Sequence, residues 1–114
     1  IDEIIKDIHF ERAPGPDGFN GLFLKKCWDV IKQDIYTMIC DFFEGKNDIQ
    51  SINSASITLI PKIANPLNMN DFRPISLVNL PLKIITKLMA NRAHKIITSV
   101  IHQNQYGFIK GRNI

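Results

Sequence analysis

The chain has 114 residues, enough for one small domain. It is 45% hydrophobic and 22% charged, an ordinary globular balance that excludes a disordered or fibrous chain. Its net charge is +3, too small by itself to define a partner.

The sequence opens on Ile1 inside a helical pattern, so we expect a piece of a longer protein, with some apolar faces partnered elsewhere. Asp2 to Phe10 read as the end of a helix, broken by Ala13-Pro14-Gly15-Pro16-Asp17-Gly18. Two prolines fix φ and two glycines permit positive φ, which makes this a rigid turn. Asp17 within it is expected to cap a helix or bond its own backbone. Leu22, Phe23, Cys27, Trp28, Ile31, Ile35, Met38, Ile39 and Phe42 then recur at helical spacing. The spacing predicts one or two helices between about Asn20 and Glu44, closed by Gly45, with Trp28 and Phe42 as core anchors.

Ala55 to Ile60 alternates and is rich in β-branched residues, a strand ending at Pro61. After a polar loop from Ile63 to Asp71, Phe72 to Leu77 reads as a second strand. The pair predicts an antiparallel hairpin with Lys62 and Arg73 near its open end. From about Pro81 to Ile101 the pattern is helical again. Ile84, Ile85, Leu88, Met89, Ala93, Ile96, Ile97, Val100 and Ile101 form an apolar stripe. Lys83, Lys87, Asn91 and Lys95 form a polar row beside it, with Pro81 in the first turn. The tail from Asn104 to Ile114 interleaves Tyr106 and Phe108 with amides and cations. The fold class expected is α+β, helix-rich with one antiparallel hairpin.

Charge follows this order. Every acid lies at or before Asp71; from Phe72 onward there are seven Lys or Arg and no Asp or Glu. That last third is therefore +7, and since the whole is +3 the remainder is −4. Such asymmetry fits a polyanion partner, and equally a solvated basic face. Cys27 and Cys40 have neither metal-ligand nor disulfide spacing and read as buried small apolar residues. His9, His94 and His102 are scattered, and no apolar run is long enough to span a bilayer.

A two-metal polymerase site needs clustered carboxylates, and the acids here are spread along the first helices. No Ser-His-Asp or Cys-His set and no P-loop is visible; Lys110-Gly111-Arg112 lacks its frame. What remains is phosphate handling. A hairpin would bring the Lys62 ammonium and the Arg73 guanidinium over one patch, a pairing suited to a triphosphate, although edge-strand charges that discourage aggregation have the same pattern. The tail resembles a strand-contacting surface, or else its aromatics pack beneath the long helix.

Five strings occur in order: Ala13 to Phe19 (APGPDGF); Leu59 to Lys62 (LIPK); Asp71 to Asn79 (DFRPISLVN); Lys83 to Lys87 (KIITK) with Ala90-Asn91-Arg92; and Asn104 to Ile114 (NQYGFIKGRNI). Together they resemble the reverse transcriptase domain of LINE-type, non-LTR retrotransposons, plant ones especially. The likeness covers nearly the whole chain; each string alone is weak, and five in register are specific. It implies the fingers and early palm of a right-hand polymerase, an RNA-directed DNA polymerase that uses Mg²⁺. Its partners would be an RNA template, a DNA primer, deoxynucleotide triphosphates and the rest of the domain, inside the cell in nucleus and cytoplasm.

In that family the hairpin lysine and arginine contact the incoming triphosphate, a role that falls to Lys62 and Arg73. The tail borders the template, which makes Gln105, Gly107, Phe108, Gly111 and Arg112 template-side candidates. The Pro-Gly-Pro-Asp-Gly turn would be positional. Leu82 stands where an aromatic residue is common. The family's metal-binding aspartates fall beyond Ile114, so no catalytic or metal residue is expected here, and no bound metal. The alternative is a non-catalytic, nucleic-acid-binding remnant of a decayed retroelement.

Overall fold

A computed structural model describes residues 1–8, 12–46, 48–107, 109, 111 and 112. Helix α1 (Asp2–Asp7) and helix α2 (Gly21–Phe43) lead through a 3-10 turn at Ile49–Ser51 into strand β1 (Ala55–Pro61). A second 3-10 turn at Met69–Asp71 precedes strand β2 (Phe72–Val78) and helix α3 (Leu80–Val100). The strands pair antiparallel, from Ala55 opposite Val78 to Pro61 opposite Phe72. The fold is α+β, as composition and periodicity predict. Phe10, placed in the first helix by the sequence pattern, lies outside the described residues.

Local chemistry sets these limits. The Asn20 side chain accepts from the Phe23 amide at 3.0 Å and caps α2. At the other end Gly45 takes φ +71°. There Lys46 N–H donates to Asp41 C=O at 2.9 Å and Gly45 N–H to Phe42 C=O at 3.1 Å. This is the paired closure that glycine after a helix allows. One uninterrupted helix therefore fills the span that the sequence left as one or two. Pro81 sits in the first turn of α3, where its missing N–H costs nothing.

The core lies among the three helices: Ile4 and Ile5 of α1, Leu24 and Ile39 of α2, and Leu80, Ile84, Ile85 and Leu88 of α3. Leu24 and Ile84 are wholly buried. Trp28 and Phe42 pack against this cluster only partly buried, so the anchors are aliphatic rather than aromatic. Both rings pack on the outside of this aliphatic cluster, half-buried. The cysteines also depart from expectation: Cys27 is half-buried and Cys40 exposed. Cys40 stands one residue past buried Ile39, about 100° around the helix and away from the seam. The stripe on α3 is buried only in its first half; Met89, Ile96 and Val100 are exposed.

A turn 63 residues away fastens the core. Asp17 Oδ2 accepts from the Leu80 amide at 2.7 Å and so caps α3 from across the chain. Asp17 Oδ1 accepts from Phe19 N–H at 3.1 Å, and Asp17 N–H donates to Asn79 Oδ1 at 3.0 Å. Both roles expected of Asp17, helix cap and local turn bond, are filled by one carboxylate. Asn79 is buried; its amide donates to Ile52 C=O at 3.1 Å and to Ser54 Oγ at 3.0 Å. Gly15 lies so close to this junction that a Cβ would stand 2.4 Å from the Val78 carbonyl carbon and oxygen.

The hairpin, by contrast, projects from the helices with every β1 residue exposed. The radius of gyration is 17.1 Å, against roughly 13 Å for a compact chain of this length. Among the described residues, no helix is long and apolar enough to cross a membrane.

Two substitutions test the fastening. Gly15→Ala must displace backbone and is expected to cost about 1–3 kcal/mol. Asp17→Ala removes the cap of α3 and is expected to cost about 1–2 kcal/mol. Urea unfolding curves of the two variants that coincide with the parent chain would show that the turn does not hold α3.

Candidate nucleic-acid interface

The hairpin pairing fixes where Lys62 and Arg73 stand. Arg73 lies opposite Ile60. Lys62 N–H donates to Asp71 C=O at 2.7 Å and continues the ladder by one step. Strand alternation then puts Lys62 and Arg73 on one face as diagonal neighbours, roughly 7–8 Å apart at the backbone. They lie at the closed end of the hairpin, not near its open end as expected from the sequence. Both residues flank the connecting loop, and antiparallel pairing must bring such flanks to the loop's base.

The loop is braced beneath them. The Asp71 carboxylate accepts from Asn68 N–H at 2.9 Å and Leu67 N–H at 3.0 Å. These two backbone donors hold its pKa below the ordinary carboxylate range. The Lys62 ammonium donates to Asn70 C=O at 2.7 Å and leans on the loop. Arg73 is exposed, and its guanidinium has no hydrogen bond or ion pair among the described residues. The result is a two-cation patch on an open strand face, one cation tethered and the other free to grip an oxyanion. Leu67 and Met69 of the connecting loop are 90% and 74% exposed.

The tail residues are not gathered with this patch by any described contact. Gln105, Gly107 and Gly111 are exposed, and Gly111 has φ +87°. Phe108 and Lys110 lie outside the described residues. Arg112 folds back on the end of α3. Its Nη1 donates to His102 C=O at 2.8 Å and Gln105 C=O at 3.1 Å, and its Nη2 to Thr98 and Ile101 carbonyls at 3.4 and 3.5 Å. A cation at the carbonyl end of a helix satisfies orphan acceptors and meets the negative end of the dipole. In this conformation the Arg112 guanidinium is occupied by backbone. Beside it Ile109 is buried, and Tyr106 is 43% exposed.

Sequence reasoning gave no role to Asn79, which sets the start of α3 relative to the hairpin. The available signal was its place: an amide immediately before a helix that opens with Leu-Pro, at the end of a strand. The side chain caps nothing in its own helix, because Asp17 does so instead.

A magnesium-dependent reaction requires clustered acids, and the described residues do not supply them. Among the described residues no three His, Cys, Asp or Glu side chains come together as a metal site.

Acidification tests the loop brace. Because the Asp71 pKa is depressed on folding, its contribution is present above the unfolded carboxylate value, near 3.9, and is lost as pH falls through the lower folded value. In NMR titrations the Leu67 and Asn68 amides are expected to shift together below pH ~4. Asp71→Asn should abolish that titration; amides that still titrate in the variant would assign it to another acid. For the tail, Arg112→Ala should speed hydrogen exchange at residues 101–107 while Ile84 and Ile85 stay protected. Unchanged exchange in the tail would show that Arg112 does not fasten it.

No protein-family model matches the chain. The chain is similar along its whole length, at 25% identity, to the "Transposon TX1 uncharacterized 149 kDa protein" of Xenopus laevis, and it spans 9% of that protein. That likeness supports a transposon origin for the chain.

Proposed function

We propose that this chain is the fingers and early-palm part of a reverse transcriptase from a LINE-type retrotransposon, and that the hairpin patch contacts the triphosphate of an incoming deoxynucleotide. The observation that carries the reading is the placement of Lys62 and Arg73 on one open strand face, with Arg73 unengaged among the described residues. Two side chains that the resemblance pairs for this role are brought to one patch by the register. A planar guanidinium takes phosphate oxygens two at a time, and a lysine adds a point charge. The five ordered strings and the likeness to a transposon-encoded protein support the same conclusion.

On this reading Arg73 is the principal ligand. Lys62 exchanges its bond to Asn70 C=O for phosphate when the nucleotide arrives. Apart from Arg73, the acid-free last third faces the template RNA and primer, with Gln105, Gly107, Phe108, Gly111 and Arg112 nearest the template. Arg112 serves by holding the tail in shape as well as by charge. Polymer synthesis belongs to the complete enzyme, whose Mg²⁺ is held by carboxylates elsewhere.

Titration of the chain with a fluorescent deoxynucleoside triphosphate tests this. Losing a charge-assisted phosphate contact costs about 1.5–3 kcal/mol, so Arg73→Gln should weaken binding roughly 10- to 100-fold. Lys62→Gln should weaken it less, because that ammonium must first leave the loop. Equal affinity for the parent chain and Arg73→Gln would sink the assignment. The chain alone is further expected to give no primer extension with Mg²⁺; extension by a preparation free of other polymerases would place the metal site within it.

A further inference from the structure

The row of Lys83, Lys87, Asn91 and Lys95 is not used by the hairpin patch. The fold gives its first half a setting. A cavity of about 450 Å³ opens between α1, the start of α2 and the first half of α3. That volume falls in the range of small-ligand pockets. Arg12, Lys83 and Lys87 line it, with Asp7 the acid among its described lining residues, which together carry a net charge of +2. Ile8 and Leu80 supply an apolar floor.

The cations are gathered by the same fastening that holds the core. Arg12 enters the turn that docks on α3, and Lys83 Nζ donates to Ala13 C=O at 2.8 Å, which ties the turn to the helix and leaves two ammonium protons for a ligand. Lys87 lies one turn further along α3. Neither Arg12 nor Lys87 has a hydrogen bond or ion pair among the described residues, and Asp7 forms no ion pair with any of the three. Like charges four apart on a helix repel, and among the described lining residues Asp7 alone is acidic. Three cations held around one concavity are electrostatically costly when empty and favourable around an oxyanion.

We infer that this cavity is a phosphate-ester site, with Arg12, Lys83 and Lys87 as its ligands and Ile8 and Leu80 beneath the attached sugar or base. It is separate from the hairpin patch and shares none of its residues. It rests on the nucleic-acid reading above only in taking the ester to be a nucleotide's. The cavity admits a single nucleotide or one phosphodiester of a single strand.

Fluorescence anisotropy with a labelled single-stranded oligouridylate of about a dozen nucleotides tests this over a range of salt. Each phosphate neutralised on a single strand contributes roughly 0.7 to the slope of log affinity against log salt. Arg12→Gln and Lys87→Gln should each reduce that slope by about this much and weaken binding roughly fivefold at ~0.1 M salt. Lys87→Arg should restore both. Arg12 and Lys87 are exposed, so circular dichroism should show both glutamine variants folded. Arg73→Gln should leave the RNA slope unchanged while it loses triphosphate binding, which separates failure here from failure of the hairpin assignment. Competition by adenosine 5′-monophosphate that Lys87→Gln abolishes would support the site with a free nucleotide as the source. RNA binding that resists the mononucleotide but weakens in the Lys87 variant would support it with a strand as the source. Parental affinity and salt slope in both glutamine variants would overturn it.

Discussion

The hydrogen bond from the Leu80 amide to the Asp17 carboxylate decides how the parts of this chain stand to one another. Helix α3 has no side-chain cap of its own, so its first turn depends on a carboxylate borrowed from a distant turn. The same turn places Gly15 against the Val78 carbonyl and Asp17 N–H on Asn79. Asn79 in turn grips Ile52 and Ser54, the lead-in to β1. Helices, hairpin base and the N-terminal turn thus meet at one hydrogen-bonded junction. Only a glycine at position 15 permits that approach.

From this junction the chain divides into two kinds of structure. The side toward α1 and α2 is packed with aliphatic side chains. The hairpin and the distal half of α3 are open, with apolar residues such as Ile57, Met89 and Ile96 in solvent. A two-stranded hairpin with no covered face is marginal in water, and this one relies on its register, the Asp71 brace and the anchoring at Asn79. The charge distribution follows the same division. Every acid lies before β2, while from β2 onward the chain carries seven Lys or Arg and no Asp or Glu.

Much of the fold was legible in the sequence because it rests on local rules. Period-two alternation found both strands within a residue, and helical spacing with Asn20, Gly45 and Pro81 bounded α2 and α3. The core was less legible. Leu24, wholly buried, was missing from the periodic set, while Leu22, which was in it, is 45% exposed. Hydrophobicity alone does not say which of two neighbouring apolar residues faces the partner helix. For the site, pairing brings Lys62 and Arg73 to one face, and strand alternation makes that derivable. Their position at the closed end also follows from sequence order, although the prediction put them at the open end. Asn79 and the cavity cations Arg12, Lys83 and Lys87 were beyond reach. Their roles depend on contacts between residues some 25 to 70 apart, which no window of sequence contains.

The borrowed cap also has a consequence in time. A ribosome adds roughly 5–20 residues per second, so several seconds pass between the emergence of Asp17 and that of Leu80. Throughout that interval the turn has no helix to dock on, and the faces of Leu24 and Ile39 have no α3 to cover them. Closing so long a loop is entropically costly and is repaid only when the α3 contacts form together. The nascent chain therefore carries an uncovered α2 until the hairpin has been made, a period in which association with other apolar surfaces competes with folding.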